Sequence, residues 1–111
     1  MKLRDGESAV VDIAKLRLYC LDPKHPRGGC KARQFAARLG YIASDAETLQ
    51  EHLLVAARKS EEAVLGERDE YGQRYDLDVK ITGPDGSGTV RSTWIVRADE
   101  SPPRLITCHV L

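Results

Sequence analysis

Cysteine is scarce in this sequence of 111 residues, which has only Cys20, Cys30 and Cys108 and no CxxC pair. An odd number of widely spaced cysteines argues against a disulfide framework and against a zinc site. We therefore expect buried free thiols, as in a reducing compartment, and no bound metal.

Long apolar stretches are also missing. No run approaches the roughly 18 apolar residues of a membrane-spanning helix. The opening residues, MKLRDGESAV, carry acids where a signal peptide has its apolar region. No GK[ST] sequence marks a phosphate-binding P-loop. From these absences we expect a cytoplasmic protein that uses neither a membrane nor a cofactor.

Aromatic residues make up only 5% of the chain, and the net charge is zero. Both values argue against a strongly basic protein that stacks many nucleic-acid bases. The charges are unevenly placed, however. Residues 1–43 hold nine Lys or Arg and four Asp or Glu, whereas residues 44–78 hold four and ten. This asymmetry predicts a basic face and an acidic face.

Hydrophobic spacing divides the chain into a helical first half and a stranded second half. Predicted helices cover residues 12–21, 30–39 and 44–65, and predicted strands cover residues 73–82, 89–98 and 104–111. Asp12 is expected to cap the first helix, and Ser44 with Glu47 fits a capping box for the third, which Gly66 would end. The prediction is one α+β domain over residues 1–111, with helices packed on a small antiparallel meander and with Trp94 and Phe35 in the core.

The stretch LDPKHPRGGCKARQF, from Leu21 to Phe35, concentrates basic residues around a turn. A Gly-Gly pair before a helix lets backbone N–H groups point at an anion. Lys31 falls in the first helical turn, where the helix dipole disfavours a cation unless an anion binds nearby. An exposed Pro/Gly connection explains the same composition, so both interpretations remain open. The candidate anion-binding residues are His25, Arg27, Gly28, Gly29, Lys31 and Arg33.

A second polar group is predicted on the last two strands. In the expected register, Arg91 and Thr93 lie beside Thr107 and His109. Such a patch can bind a phosphate and stabilise developing charge, although Thr and Arg are also ordinary on exposed strands. A histidine there, or His25 in the loop, can act as acid or base near neutral pH.

The segments YCLDPKHPRGGCKARQFAARLGY, YGQRYDLDVKITGPDG and VRSTWIVRADESPPRLITCHVL follow one another in this order. Together they resemble a family of small bacterial domains that occur alone or at the C-terminus of larger toxin-like proteins. The resemblance covers the chain from Leu16 to Leu111. Its helices-then-meander order looks like the fold shared by barnase, EndoU, colicin tRNases and RelE-like toxins, which are metal-independent ribonucleases. The resemblance therefore implies a ribonuclease toxin, by analogy of fold.

The family pattern carries over to individual positions of this chain. Matching residues are His25, Gly28 or Gly29, Lys31, Tyr75, Arg91, Ser92 and Thr107. The chain departs from the pattern at His109, where the family usually has tyrosine. A different acid–base group is therefore implied at that position.

Two functions remain. The first is a metal-independent RNA-cleaving toxin, with RNA as substrate and a cognate antitoxin or immunity protein as partner. Its catalytic candidates are His25, Lys31, Arg91, Thr107 and His109, and its phosphate-binding candidates are Arg27, Gly28, Gly29, Arg33, Tyr75, Ser92 and Thr93. The alternative is a non-catalytic module of the immunity or antitoxin type, which binds its partner through the acidic helix 44–65. Convergence of the catalytic candidates in one cleft would favour the first function.

Overall fold

Three α-helices precede a four-stranded antiparallel sheet in the computed structural model, which describes residues 1–99 and 101–111. The helices are α1 (Ile13–Lys15), which continues as a π-helix over Leu16–Cys20, α2 (Gly29–Leu39) and α3 (Ala46–Lys59). The strands are β1 (Val64–Asp69), β2 (Gly72–Gly83), β3 (Gly86–Arg97) and β4 (Arg104–Val110), and they lie in the order β1-β2-β3-β4. The α+β prediction is confirmed.

The first two helices begin and end largely where their local sequence signals predict. Oδ1 of Asp12 accepts a hydrogen bond from the backbone N–H of Ala14 at 2.9 Å, which caps α1. Gly40 adopts the left-handed conformation, with φ 75°, and ends α2. The first helix differs from the prediction in kind, because most of its length is π-helical rather than α-helical.

The predicted third helix, over residues 44–65, is too long. It ends at Lys59, Ser60 is extended with φ −71° and ψ 140°, and the following segment forms β1. Val64 fits the helical stripe and a strand equally well, so local spacing cannot decide between them. Pairing with β2 decides it, since Val64 lies opposite Asp76 in the sheet. Gly66 is therefore a strand residue and not a helix stop.

The predicted capping box of Ser44 and Glu47 is also wrong. Ser44 lies inside a 3₁₀ turn, Ala43–Asp45, that leads into α3. Asp45 caps this 3₁₀ turn, because its Oδ2 accepts a hydrogen bond from the backbone N–H of Ile42 at 2.8 Å. The capping side chain is thus one residue after the serine that the pattern selected, and it caps the 3₁₀ turn and not α3 itself.

The helices cover one face of the sheet and build a single core there. Trp94 and Phe35 are fully buried in it, as predicted. Because side chains alternate along a strand, Leu77 and Ser92 also point into the core, whereas Asp76, Asp78, Arg91 and Thr93 point away from it. We call the side of the sheet opposite the helices the outer face.

Strand β4 contains one residue more than its partner requires. Trp94 pairs with Leu105, but Thr93 pairs with Thr107, so Ile106 is the extra residue of a β-bulge. In a regular strand, side chains two residues apart lie on the same face, so Leu105 and Thr107 would share one. The bulge instead lets Leu105 pair with Trp94 in the core while Thr107 pairs with Thr93 of the outer face.

The cysteines only partly follow the expectation of buried thiols. Cys20 and Cys108 are buried, but Cys30 is exposed at the start of α2. The thiols of Cys20 and Cys108 share a hydrogen bond, which lowers the pKa of Cys20 and raises that of Cys108. The backbone N–H of Cys108 also donates to Cys20, which attaches the π-helix to the outer edge of β4.

Candidate functional site

A row of three charged or titratable side chains crosses the outer face. Asp78 lies opposite Arg91 in the β2–β3 pairing, and Arg91 lies opposite His109 in the β3–β4 pairing. Nε and an Nη of Arg91 donate to the two carboxylate oxygens of Asp78 at 2.8 and 2.9 Å. This fork fixes the guanidinium plane. The pairing also lowers the pKa of Asp78 and raises that of Arg91.

A second row runs parallel to the first, two residues along each strand. Asp76 lies opposite Thr93, which lies opposite Thr107. Oγ1 of Thr93 donates to Asp76 at 2.8 Å. Oγ1 of Thr107 is buried and lies near the Cys20 thiol, whose pKa it helps to lower. A thiol is a weak hydrogen-bond partner, so the Thr107 hydroxyl has no strong partner among residues 1–99 and 101–111.

His109 has the environment expected of a base. Burial lowers its pKa first, the positive charges of Lys31 and Arg91 lower it further, and Asp78 and Asp76 act in the opposite direction. A lowered pKa favours the neutral imidazole, which is the form that can accept a proton. Its Nδ1 is buried, and no atom of the described residues forms a hydrogen bond with it.

Lys31 approaches this group from α2, beside the outer edge of β4. It lines a cavity of about 550 Å³ together with Lys15, Tyr19, Ile106 and Thr107. The structure thus brings four of the five catalytic candidates together: Lys31, Arg91, Thr107 and His109. The register predicted for Arg91 and Thr93 with Thr107 and His109 is confirmed. Their catalytic roles remain predictions.

His25, the fifth candidate, contacts Tyr19 and does not line the cavity that Lys31 and Thr107 share. Its ring meets the Tyr19 ring edge-on, with 4.6 Å between the centroids. Nδ1 of His25 accepts hydrogen bonds from the backbone N–H groups of Arg27 at 3.0 Å and Gly28 at 3.1 Å. These two N–H groups therefore point at the imidazole, and not at an external anion.

The Gly-Gly pair is explained by close packing. A Cβ added to Gly28 would lie 2.7 Å from the backbone oxygen of Tyr19, and one added to Gly29 would lie 2.6 Å from that of Pro23. Nη1 of Arg33 donates to the same Pro23 oxygen at 3.0 Å, while Arg27 is exposed at the surface. The basic loop is thus held mainly by contacts within itself.

Two predicted phosphate-binding residues lie in the core and not on the outer face. Tyr75 is 6% exposed and Ser92 is fully buried. Oγ of Ser92 donates to the backbone oxygen of Leu77 at 2.7 Å and accepts from Nε1 of Trp94 at 2.9 Å. Alternation along β2 and β3 turns both side chains toward the helices, so neither can contact a ligand on the outer face.

Sequence reasoning missed Asp76, Asp78, Lys15 and Tyr19. The positions of the two aspartates could have been predicted from the sequence. The GPDG turn fixes the register of the β2–β3 hairpin, and that register places Asp78 opposite Arg91. Lys15 and Tyr19 carry no local signal, because their nearness to β4 depends on how α1 packs. In the described part of the chain, no group of three or more His, Cys, Asp and Glu is placed to hold a metal ion. Nor is any helix there long and apolar enough to cross a membrane.

Residues 2–111 match the family described as a domain of unknown function, DUF6883. The chain belongs to this family. No curated protein matches the sequence. Among solved structures, the DUF6883 chain is similar to one described as a contact-dependent growth inhibition toxin–immunity protein complex from Klebsiella pneumoniae 342. The TM-score is 0.71 and the identity 25%, over 92% of this chain and 99% of that chain.

The similarity confirms part of the resemblance stated above. DUF6883 shares its fold with a chain from a toxin–immunity complex, over nearly the full length of both. The likeness to barnase, EndoU, colicin and RelE-like ribonucleases remains a prediction.

Proposed function

We propose that this chain is a toxin domain that cleaves RNA and is neutralised by an immunity protein. Similarity to a chain from a toxin–immunity complex supports the cellular role. The observation that carries the chemistry is the environment of His109, whose pKa is lowered by burial and which lies near Lys31 and Arg91. A neutral base beside two cations is suited to a reaction in which a proton is removed and negative charge develops.

The reaction that fits is transesterification within the RNA backbone. His109 removes the proton of a 2′-hydroxyl, and the 2′-oxygen forms a bond to the adjacent phosphorus. The bond from phosphorus to the 5′-oxygen breaks, which leaves a 2′,3′-cyclic phosphate. Lys31 supplies the proton to the departing 5′-oxygen. Arg91, fixed by Asp78, faces the charge that builds on the phosphoryl oxygens.

The two aspartates on the outer face set the strength of RNA binding. Asp76 and Asp78 offset the charges of Lys31 and Arg91, so the site has little net positive charge. Non-specific affinity for nucleic acid grows with the number of phosphates that a basic surface neutralises. We therefore expect weak binding to arbitrary RNA, with selectivity arising from the fixed positions of the polar groups.

Expression in a bacterial host, with and without the neighbouring gene, tests the proposal. Growth arrest with discrete RNA fragments is expected when the chain is expressed alone, and the neighbouring gene product should restore growth. Lys31→Gln and His109→Gln should remove the toxicity, while the exposed Lys80→Gln on β2 should retain it. Intact RNA and normal growth at high expression of a folded wild-type chain would rule out this function.

A second candidate is a non-catalytic partner of the immunity type, which one surface favours. Strand β1 is exposed along its whole length and forms one edge of the sheet. Five acids lie just before this strand, in it or in the turn that follows it: Glu61, Glu62, Glu67, Asp69 and Glu70. Only Glu61 and Glu62 belong to the acidic helix predicted over residues 44–65. An acidic sheet edge can bind a basic toxin. In this case the chain should protect cells from the neighbouring gene product, which would then be the toxic component.

A further inference from the structure

The cavity beside Lys31 and Thr107 has a feature that the proposed cleavage step does not use. Its other wall consists of Lys15 of α1, Asp12, which caps that helix, and Tyr19 of the π-helix. Ile106, the extra residue of the β4 bulge, lines it on the strand side. At about 550 Å³, the cavity falls within the range of about 300–1,000 Å³ typical of small-ligand sites.

Tyr19 lines this cavity, and the basic loop contacts its ring from another side. A Cβ on Gly28 would lie 3.3 Å from Cδ1 and Cε1 of the Tyr19 ring, so the backbone of Gly28 packs against that ring. The edge contact with His25 fixes the ring further, at a centroid distance of 4.6 Å. His25 is itself held by the backbone N–H groups of Arg27 and Gly28. The basic loop therefore packs against the ring of a residue that lines the cavity.

The polar groups of the cavity have hydrogen-bonding capacity to spare. Nζ of Lys15 reaches the backbone oxygen of Leu105 only at 3.5 Å, which is longer than an ordinary hydrogen bond. Oγ1 of Thr107 is buried and has no strong partner among the described residues. A ligand with a flat apolar ring and polar edges would stack on Tyr19 and bond to these groups.

From this arrangement, we propose that the cavity is a nucleotide-binding subsite in which a nucleobase stacks on Tyr19 while Lys15 and Thr107 bind its polar edges or sugar. The proposal rests on the proposed function, because Lys31 and Thr107 line the cavity and also belong to the cleavage site. The nucleotide in the subsite would adjoin the scissile phosphate. His25 and Gly28 are then positioning residues that act through Tyr19.

Binding of the four nucleoside 3′-monophosphates and of inorganic phosphate, followed by NMR on the full chain, tests the subsite. At least one nucleotide should bind about tenfold more tightly than phosphate and shift the resonances of Tyr19, Lys15 and Thr107. Tyr19→Leu should weaken nucleotide binding about tenfold and leave phosphate binding unchanged, while Tyr19→Phe should keep both. Tyr71→Leu, at an exposed tyrosine of the β1–β2 turn, is the matched control.

Three results would overturn the subsite: nucleotides that bind no more tightly than phosphate, an equal effect of Tyr19→Leu on both ligands, or an equal effect of Tyr71→Leu. If Tyr19→Leu does not fold, Lys15→Gln replaces it, with the same expected loss of nucleotide affinity. A separate RNA-cleavage assay on the wild-type chain distinguishes the two proposals. If nucleotides bind but RNA is not cleaved, the subsite is supported and the nuclease function is rejected. If RNA is cleaved but nucleotides do not contact Tyr19, the nuclease function is supported and the subsite is rejected.

Discussion

Arg91 lies directly opposite His109 in the β3–β4 pairing, and Asp78 holds Arg91 from the other side. A titratable ring thus faces a guanidinium whose position is fixed. Because Arg91 and Lys31 are positive, both favour the neutral form of the ring, while Asp78 and Asp76 favour the protonated form. The charge of His109 is set by the balance of these four neighbours and by burial.

The pKa of His109, followed by NMR titration, should respond to each neighbour with a defined sign. Lys31→Gln removes a positive charge and should raise the pKa. Asp78→Asn removes a negative charge and should lower it further. Lys80→Gln, at an exposed β2 position, is the control and should change it least. Equal shifts in all three variants would contradict the described electrostatics.

The pH dependence of RNA cleavage should report the same group. A base works in its neutral form, so kcat/KM should rise with pH through the pKa of His109. Since that pKa is lowered, the midpoint of the rise should lie below about 6.5, the ordinary value for histidine. His109→Gln should lower the rate about 100- to 10,000-fold and abolish this rise. His52→Gln on α3 should leave the rate and the midpoint unchanged.

Ser92 should contribute to the free energy of unfolding and not to nucleotide binding. Ser92→Ala removes the acceptor of Trp94 Nε1 and the donor to Leu77, which leaves a buried N–H without a partner. The free energy of unfolding should fall by about 1–3 kcal/mol, as measured by urea denaturation with Trp94 fluorescence. Ser87→Ala, at the exposed hairpin end, should change it by less than about 0.5 kcal/mol. Under conditions in which Ser92→Ala is fully folded, its nucleotide affinity should equal that of the wild-type chain, as expected for a core residue.

Gly28 should contribute to the stability of the ligand-free chain, because its backbone packs closely against Tyr19. Gly28→Ala places a Cβ 2.7 Å from the Tyr19 backbone oxygen, so the loop must shift. We expect a loss of about 1–3 kcal/mol in the ligand-free chain. In Gly66→Ala the nearest atom would be 3.4 Å away, at Arg74, and the expected change is within about 0.5 kcal/mol. A stable Gly28→Ala variant that loses only phosphate binding would instead support an anion cradle.

Thiol reactivity should separate the three cysteines. Cys30 is exposed, whereas Cys20 and Cys108 are buried. In the native chain one thiol should react rapidly with a disulfide reagent, and Cys30→Ser should remove that fast phase. The other two should react only on the timescale of unfolding. Rapid reaction of Cys20 would show that the π-helix opens readily from β4.

Local signals were sufficient wherever neighbouring residues decide the structure. The GPDG turn between β2 and β3 indicated their hairpin, and the register expected for β3 with β4 predicted Arg91 beside His109. Prediction from the sequence failed where contacts between residues far apart in the chain decide the structure. Val64 belongs to a strand because it pairs with Asp76 of β2. The capping acid in this region is Asp45, which caps the 3₁₀ turn before α3. Tyr75 and Ser92 matched a motif, but only the direction of their side chains shows that they support the core.

The extra residue Ile106 shapes the cavity wall without setting the register of the neighbouring strand residues. If Ile106 were deleted, Leu105 would still face the core and Thr107 the outer face, because regular alternation would then hold on its own. The row of Asp78, Arg91 and His109 would keep its register. Only the wall that Ile106 provides to the cavity would be lost. A change of one residue in chain length at this point can therefore alter which ligand fits, while the arrangement of charges beside it is preserved.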